Sequence, residues 1–210
     1  MTTYKLSIKG PGAINEDYIE MSVLNDSLVV AVSDGMGGMD CGDIAAKTVS
    51  ESLVKYIIDN EHNSNDELLL HNALEYADNQ LADEMFRHSL QMGAATLVAI
   101  LSPHHLSFSW QGNVRLYLKH DNNIKLMTTD HQIETGYGEY RLTRCLKGQG
   151  LRIPLPFEEC QISNGDTIYI CTDGFYTESL PLLISDSTVE EMKTRISCPK
   201  DDATLIEIKL

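Results

Sequence analysis

The most informative stretch of the sequence is Leu28-Val29-Val30-Ala31-Val32-Ser33-Asp34-Gly35-Met36-Gly37-Gly38. Residues 28–33 form a short, β-branched apolar run bounded by turn residues, which predicts a buried strand. This strand would deliver the carboxylate of Asp34 to its end. The glycines that follow allow backbone oxygens to come close to whatever that carboxylate binds. A carboxylate beside exposed backbone oxygens is a ligand set that suits Mg²⁺ or Mn²⁺.

Size and charge narrow the class of protein. A chain of 210 residues is most simply one domain, so we expect residues 1–210 to fold as a single unit. Hydrophobic residues make up 42% and charged residues 22%, as in ordinary soluble proteins. The net charge of -15 argues against nucleic acid or an anionic membrane surface as a partner, since both need clustered Lys and Arg. We also expect a monomer.

The cysteines and the N-terminal residues bear on the compartment. The five cysteines are scattered and show no CxxC pair, so neither a disulfide framework nor a zinc site is predicted. Free thiols are typical of a reducing compartment. The N-terminal residues contain no apolar signal core, and no segment approaches the length of a membrane span. These features predict a cytoplasmic protein.

The hydrophobic pattern predicts the order of helices and strands. Amphipathic helices are expected at 43–59 and 66–88, because apolar residues recur on one stripe of each, and another helix around 188–196. The segment 131–152 is predicted to be irregular. Strands are expected at 4–8, 18–24, 28–33, 94–101, 105–110, 114–119, 124–128, 166–172 and 203–209. This order indicates an α+β fold with mainly antiparallel sheets.

Acidic residues stand at the ends or starts of four predicted strands. They are Glu16-Asp17, Asp34, Asp173 and Asp201-Asp202. Antiparallel neighbours bring the end of one strand and the start of the next to the same edge of a sheet, so these acids can converge. Carboxylates packed together repel one another strongly. Their convergence therefore predicts a bound cation.

In this order and spacing, the acidic motifs resemble those of the metal-dependent protein phosphatases, also called type 2C serine/threonine phosphatases. The matching pieces are Gly12-Ala13-Ile14-Asn15-Glu16-Asp17, Asp34-Gly35-Met36-Gly37-Gly38, Gly93-Ala94-Ala95-Thr96, Gly112-Asn113-Val114-Arg115, Thr129-Asp130-His131, Thr172-Asp173-Gly174-Phe175 and Asp201-Asp202-Ala203-Thr204. Each piece is weak alone, but together their order and spacing are specific. The resemblance implies a four-layer αββα sandwich of two mainly antiparallel sheets flanked by helices, with a two-metal site at one edge.

The resemblance also implies which residues hold the metal ions. The expected ligands are Glu16, Asp17, Asp34, Gly35, Asp173 and Asp201. Asp34 would bridge two Mn²⁺ or Mg²⁺ ions, and the carbonyl of Gly35 would bind one of them. Asp173 and Asp201 would hold the other ion, while Glu16 and Asp17 would complete the site directly or through waters. Asp34 and Asp173 are the residues on which catalysis is expected to depend.

The implied reaction is hydrolysis of phosphoserine and phosphothreonine in a protein substrate of a serine/threonine kinase. Two cations roughly 3.5–4 Å apart lower the pKa of a shared water and stabilise charge on the phosphoryl group. No side-chain nucleophile is then needed. The absence of a Cys-based phosphate loop from the sequence agrees with that mechanism.

The match departs from the family where the substrate phosphate is bound. The family usually has an arginine three residues before the asparagine of its first motif, but Gly12 stands at that position here. The bidentate contact that arginine makes with phosphate is therefore missing. Lys9, Arg141 and Arg144 are the alternatives that could replace it.

Three further departures concern the metals, the flap and the proton donor. Asn113 replaces an aspartate of the family's third metal site, so the sequence predicts two ions and a weakened third. The segment from His131 to Leu142 is short, which indicates a small flap and an open site. Met36 stands where the family's eukaryotic branch has a proposed general acid, a histidine. Methionine there is typical of bacterial relatives and leaves the general acid unassigned.

Two other functions remain open on the sequence. The first is a phosphatase-like module of little activity that binds and regulates a phosphoprotein, and Gly12, Asn113 and the small flap favour it. The second is a calcium-binding structural domain. No EF-hand spacing occurs in the sequence to support that reading.

Overall fold

A computed structural model of the chain describes residues 1–36, 41–60, 65–121, 123–185, 187–196 and 198–210. Gly37 and Gly38 of the opening motif lie outside the described residues. The strands are β1 Thr2–Ile8, β2 Asp17–Leu24, β3 Ser27–Gly35, β4 Ala94–Ser102, β5 His105–Gln111, β6 Arg115–His120, β7 Asn123–Leu126, β8 Gln132–Gly136, β9 Glu139–Leu142, β10 Glu158–Gln161, β11 Thr167–Cys171 and β12 Ala203–Lys209. The helices are α1 Gly42–Asn60, α2 Asp66–His88, α3 Asp173–Ile184 and α4 Val189–Arg195.

Two antiparallel sheets face each other across the main core. One has the strand order β1-β12-β11-β6-β7 and the other has the order β10-β5-β4-β3-β2. Alternate residues of the strands point into the space between the sheets, where Val32, Phe108 and Ile206 are among the buried side chains. Period-two alternation directs the intervening residues to the outer face of each sheet.

Helices cover both outer faces. α1 and α2 pack on the sheet that contains β3, where Val29 and Ala31 join the helices in a second buried cluster. α3 and α4 cover the other sheet through a third cluster, which includes Phe175 and Met192. Because β3 is buried on both faces, its sequence is a continuous apolar run without alternation. The predicted α+β, four-layer αββα sandwich is confirmed.

The structure differs from the sequence prediction in three elements. Helix α3 begins directly after β11, in a region where no helix was predicted. Residues 132–142, within the segment predicted to be irregular, form the β8–β9 hairpin. Strand β10 pairs with the edge of β5 and was also not predicted. The predicted helices at 43–59, 66–88 and 188–196 agree with α1, α2 and α4 to within two residues at each end.

The fold also bears on disulfide bonds and on membrane-spanning helices. Cys41, Cys145, Cys160, Cys171 and Cys198 are all free, which agrees with the predicted lack of disulfides. Among the described helices, none combines the length and the hydrophobicity that crossing a membrane requires.

Candidate functional site

The acidic residues at the start of β2 and the end of β3 face each other in register. Asp17 is the ladder partner of Asp34 at the last pair of the β2–β3 hairpin. Asp17 is only 8% exposed, and its Oδ2 accepts a hydrogen bond of 2.8 Å from Thr172 Oγ1. Its Oδ1 is buried and has no hydrogen-bond partner among the described residues. A buried carboxylate oxygen without a partner is costly, so a cation ligand is the natural complement.

Thr172 joins the two sheets at this edge. Its hydroxyl donates to Asp17 of one sheet and accepts a 3.0 Å hydrogen bond from the backbone N–H of Thr204 in the other. Asp173 is the next residue and opens α3. The end of β11 is thereby fixed beside the start of β2, so residues distant in sequence meet.

The carboxyl groups of Asp34 and Asp173 lie together at this edge and line the same cavity. Burial raises the pKa of Asp34 well above its ordinary value, and the charges of Asp17, Asp173 and Asp201 raise it further. Burial also raises the pKa of Asp173, with the charge of Asp201 as the next cause. These carboxyl groups need either protons or a cation between them.

Asp202 fixes the loop that carries Glu16. Its Oδ1 accepts from the backbone N–H of Gly10 at 2.7 Å, and its Oδ2 accepts from the backbone N–H of Glu16 at 2.6 Å. Burial raises the pKa of Glu16, followed by the charges of Asp202, Asp43 and Asp201. The sequence prediction placed Asp201 in the site but missed this positioning role of its neighbour. The adjacent acidic pair Asp201-Asp202 was the feature of the sequence that could have indicated this role.

Glycines allow the strand ends to approach one another. A Cβ on Gly35 would lie 2.2 Å from the carbonyl oxygen of Gly42, at the start of α1. A Cβ on Gly174 would lie 2.2 Å from the carbonyl oxygen of Asp202. A side chain at either position would push apart the backbone segments that carry the acids.

A cavity of about 350 Å³ opens at this edge of the two sheets. Five of the six predicted site residues line it: Glu16, Asp34, Gly35, Asp173 and Asp201. The sixth, Asp17, lies buried behind them as the partner of Asp34. The opposite wall comes from the β8–β9 hairpin, through Gln132, Tyr140, Arg141 and Leu142. The sequence predicted a small flap between His131 and Leu142 but not its pairing as a hairpin, although Gly136-Tyr137-Gly138 is a turn signal.

The residues of the cavity fit a divalent cation. In the described part of the chain, no three or more Asp, Glu, His or Cys side chains are already grouped around a point where an ion could sit. Mg²⁺ and similar hard ions do not need such a group, because they take one or two carboxylates and keep several waters. Oxygen donors dominate here, and Asp17 Oδ1 is buried without a hydrogen-bond partner among the described residues. This chemistry suits Mn²⁺ or Mg²⁺.

Asn113 lies in the loop between β5 and β6 and holds the side chain of Asp173. It is 7% exposed, and its Nδ2 donates a 2.9 Å hydrogen bond to Asp173 Oδ2. The Asn113 carbonyl accepts from the hydroxyl of Tyr176 at 3.1 Å. The guanidinium of Arg115 lies 3.7 Å from the centre of the Tyr176 ring and binds both carboxylate oxygens of Asp130, at 3.0 and 2.7 Å. The amide therefore acts as a fixed donor to a site carboxylate.

Comparison with known proteins agrees with this arrangement. The family profile described as protein phosphatase 2C matches residues 8–204. A Mycoplasma genitalium protein named as a candidate protein phosphatase is 29% identical over 198 residues, covering 81% of this chain and 76% of that protein.

Solved structures share the fold over nearly its whole length. The serine/threonine phosphatase PstP/Ppp of Mycobacterium tuberculosis has a TM-score of 0.82 at 20% identity, covering 100% of this chain and 98% of that one. The serine/threonine phosphatase Stp1 of Staphylococcus aureus has a TM-score of 0.82 at 19% identity, with coverages of 99% and 94%. A PstP catalytic domain in complex with two manganese ions has a TM-score of 0.79 at 20% identity, with coverages of 98% and 96%.

The profile match spans both strand-rich blocks and all the acidic motifs, and the sandwich it predicts is the one observed. The chain therefore belongs to the protein phosphatase 2C family of serine/threonine phosphatases.

Proposed function

We propose that the protein hydrolyses phosphoserine and phosphothreonine in protein substrates, with two Mn²⁺ or Mg²⁺ ions at the acidic cavity. The proposed ligands are Glu16, Asp17, Asp34, Gly35, Asp173 and Asp201. The observation that carries the proposal is the cluster of carboxyl groups at Asp17, Asp34 and Asp173 where the two sheets meet, with Asp17 buried and the other two half-buried. The manganese ions of the related PstP domain support the choice of metal.

The chain's own residues would hold the site in shape for this reaction. Two bound divalent cations would lower the pKa of a water molecule and stabilise charge on the phosphoryl group. Asn113 orients Asp173, and Asp202 fixes the backbone of Glu16. Thr172 holds Asp17 in place at the junction of the sheets. Rigid positioning of this kind is what such supporting hydrogen bonds provide to metal ligands.

The proposal is tested by phosphate release from a phosphothreonine peptide with and without Mn²⁺. The wild-type chain should turn the peptide over only when Mn²⁺ is present. Asp34→Asn should lose at least about 100-fold in kcat/KM, because it removes a carboxylate that would hold the metal ions. Asp59→Asn, on the exposed side of α1, is the matched control and should behave as the wild type. Turnover that is independent of Mn²⁺, or unaffected by Asp34→Asn, would refute the proposal.

A module that binds phosphoproteins with little hydrolysis is the second candidate. It is favoured by the absence of a side chain at Gly12, where the related phosphatases usually have a phosphate-binding arginine. Such a module would retain a phosphopeptide in the presence of Mn²⁺ without releasing phosphate. Capture of the peptide together with a phosphate assay separates the two functions.

The proposed function extends to the substrate, the compartment and the oligomeric state of the protein. The substrate would be a protein phosphorylated by a serine/threonine kinase, and the phosphatase would act in the cytoplasm as a single-domain monomer. The net charge of -15 supports the absence of nucleic-acid and membrane partners. Light scattering of the purified chain would measure its oligomeric state, and a dimer would contradict the expectation.

A further inference from the structure

The wall of the cavity opposite the carboxyl groups carries one basic side chain among the described residues, that of Arg141. Arg141 lies on β9, paired with Ile133 of β8, so the hairpin backbone fixes where the side chain starts. The side chain is exposed and makes no hydrogen bond or ion pair with any described residue. An arginine left unpaired beside several carboxyl groups is available to a ligand.

The other two candidate cations are committed elsewhere. Lys9 Nζ donates to the backbone carbonyls of Gly10, at 3.1 Å, and of Gly12. Arg144 donates to the carbonyls of Pro154, at 2.8 Å, and of Arg152, at 3.5 Å. Neither Lys9 nor Arg144 lines the cavity that holds the acids. Of the three alternatives that the sequence left open, only Arg141 faces the site.

The negative charge of the cavity favours a basic side chain such as that of Arg141. Five carboxyl groups line the cavity, from Glu16, Asp34, Asp173, Asp201 and Asp202. A phosphoryl group brings further negative charge, and two divalent cations do not balance all of these charges together. A guanidinium provides permanent positive charge and a planar pair of N–H donors that matches two phosphate oxygens.

We propose that Arg141 binds the phosphoryl group of the substrate from the hairpin side of the cavity. It thereby supplies the contact that Gly12 cannot make. This inference rests on the proposed function, since it names a substrate-binding residue of the same site. It assigns the β8–β9 hairpin to phosphate binding, so phosphate affinity depends on an element outside the acidic motifs.

The test compares Arg141→Ala, Arg141→Lys and the control Arg152→Ala. Arg152 is also exposed and close in sequence, but it does not line the cavity. Calorimetry of inorganic phosphate binding to the Mn²⁺-loaded protein gives the first readout, and KM and kcat for a phosphothreonine peptide give the second. Loss of a charge-assisted contact should weaken phosphate binding about 10- to 100-fold and raise KM similarly in Arg141→Ala.

Arg141→Lys should recover only part of the phosphate affinity, because an ammonium lacks the planar fork. Arg152→Ala should bind phosphate as the wild type does. Equal phosphate affinity of the wild type and Arg141→Ala, within about twofold, overturns the inference. The phosphate titration needs no turnover, so a wild-type chain without activity defeats the proposed function while the titration still decides the role of Arg141. Thermal unfolding of each variant verifies that the exposed substitution leaves the fold intact.

Discussion

At the scale of single residues, the site depends on carboxyl groups that are energetically unfavourable where they stand. Asp17 has one buried oxygen bonded to Thr172 and another that has no partner among the described residues. Burial, and then the charges of Asp17, Asp173 and Asp201, raise the pKa of Asp34. Natural proteins retain such arrangements where function needs them.

Asn113 provides a test of positioning at this scale. Asn113→Ala removes the donor that holds Asp173 Oδ2 and leaves the carboxylate free to rotate. Loss of a hydrogen bond that orients a metal ligand should lower Mn²⁺ affinity or kcat about 10- to 100-fold. Mn²⁺ titrations and peptide hydrolysis measure both quantities. Asn79→Ala, exposed on α2, is the control; equal losses in the two variants would show that Asn113 has no special role.

At the scale of elements, the sequence predicted α1, α2 and the long strands well because their apolar residues follow a clear period. Helix α3 was missed because its first turn follows a strand directly and contains Gly174, and Pro181 lies inside it. Both residues are ordinary signals of a helix boundary. Packing of Phe175 and Leu183 against the sheet outweighs those local signals.

The hairpin was missed for a different reason. The hairpin exposes Ile133 and Tyr140 on its strands and Tyr137 in its turn, so its strands have no buried face and no alternation of apolar and polar residues. The acidic side of the cavity could be predicted because each acid stands at a strand boundary. The hairpin structure of the opposite wall could not, because the pairing of two solvent-exposed strands leaves no periodic pattern in their sequence; only the family resemblance indicated a flap there.

The carboxylate of Asp78 attaches the loop of residues 147–150 to α2. It accepts hydrogen bonds from the backbone N–H groups of Lys147, Gly148 and Gly150, at 2.9, 2.8 and 2.8 Å. The side chain is only 3% exposed, so Asp78→Ala leaves these donors without their acceptor. We expect a loss of roughly 2–4 kcal/mol in the free energy of unfolding, measured by urea denaturation.

The exposed Asp83 on the same helix is the control for this prediction. Asp83→Ala should change the free energy of unfolding by no more than about 0.5 kcal/mol. Comparable stability of the two variants would show that the 147–150 loop does not depend on Asp78.

At the scale of the whole molecule, the acidic site lies where the two sheets meet, so its charge affects global stability. Burial raises the pKa of Asp17, Asp34 and Asp173 above the values of the unfolded chain. The folded state therefore binds more protons than the unfolded state. The resulting stability is fully present below the ordinary aspartate pKa and is lost as pH rises through the raised values.

This linkage predicts how the metal-free protein responds to pH. In a chelator, its Tm should fall as pH rises from about 5 to about 8, since that range lies above the unfolded aspartate pKa. Asp34→Asn should show a smaller decline, because one carboxyl group of the cluster is gone. Mn²⁺ should raise the Tm of the wild type most at the upper end of the range. Thermal scans of both proteins measure these differences, and an identical pH slope for wild type and Asp34→Asn would be inconsistent with the linkage.

Calorimetric titration of the purified chain with Mn²⁺ would count the metal ions that it binds. Convergence of the distant acids on a pair of divalent cations predicts two bound ions per wild-type chain and the loss of at least one in Asp34→Asn, with Asp59→Asn unchanged. A wild-type chain that takes up no Mn²⁺, or an Asp34→Asn chain that binds the metal as the wild type does, would contradict it.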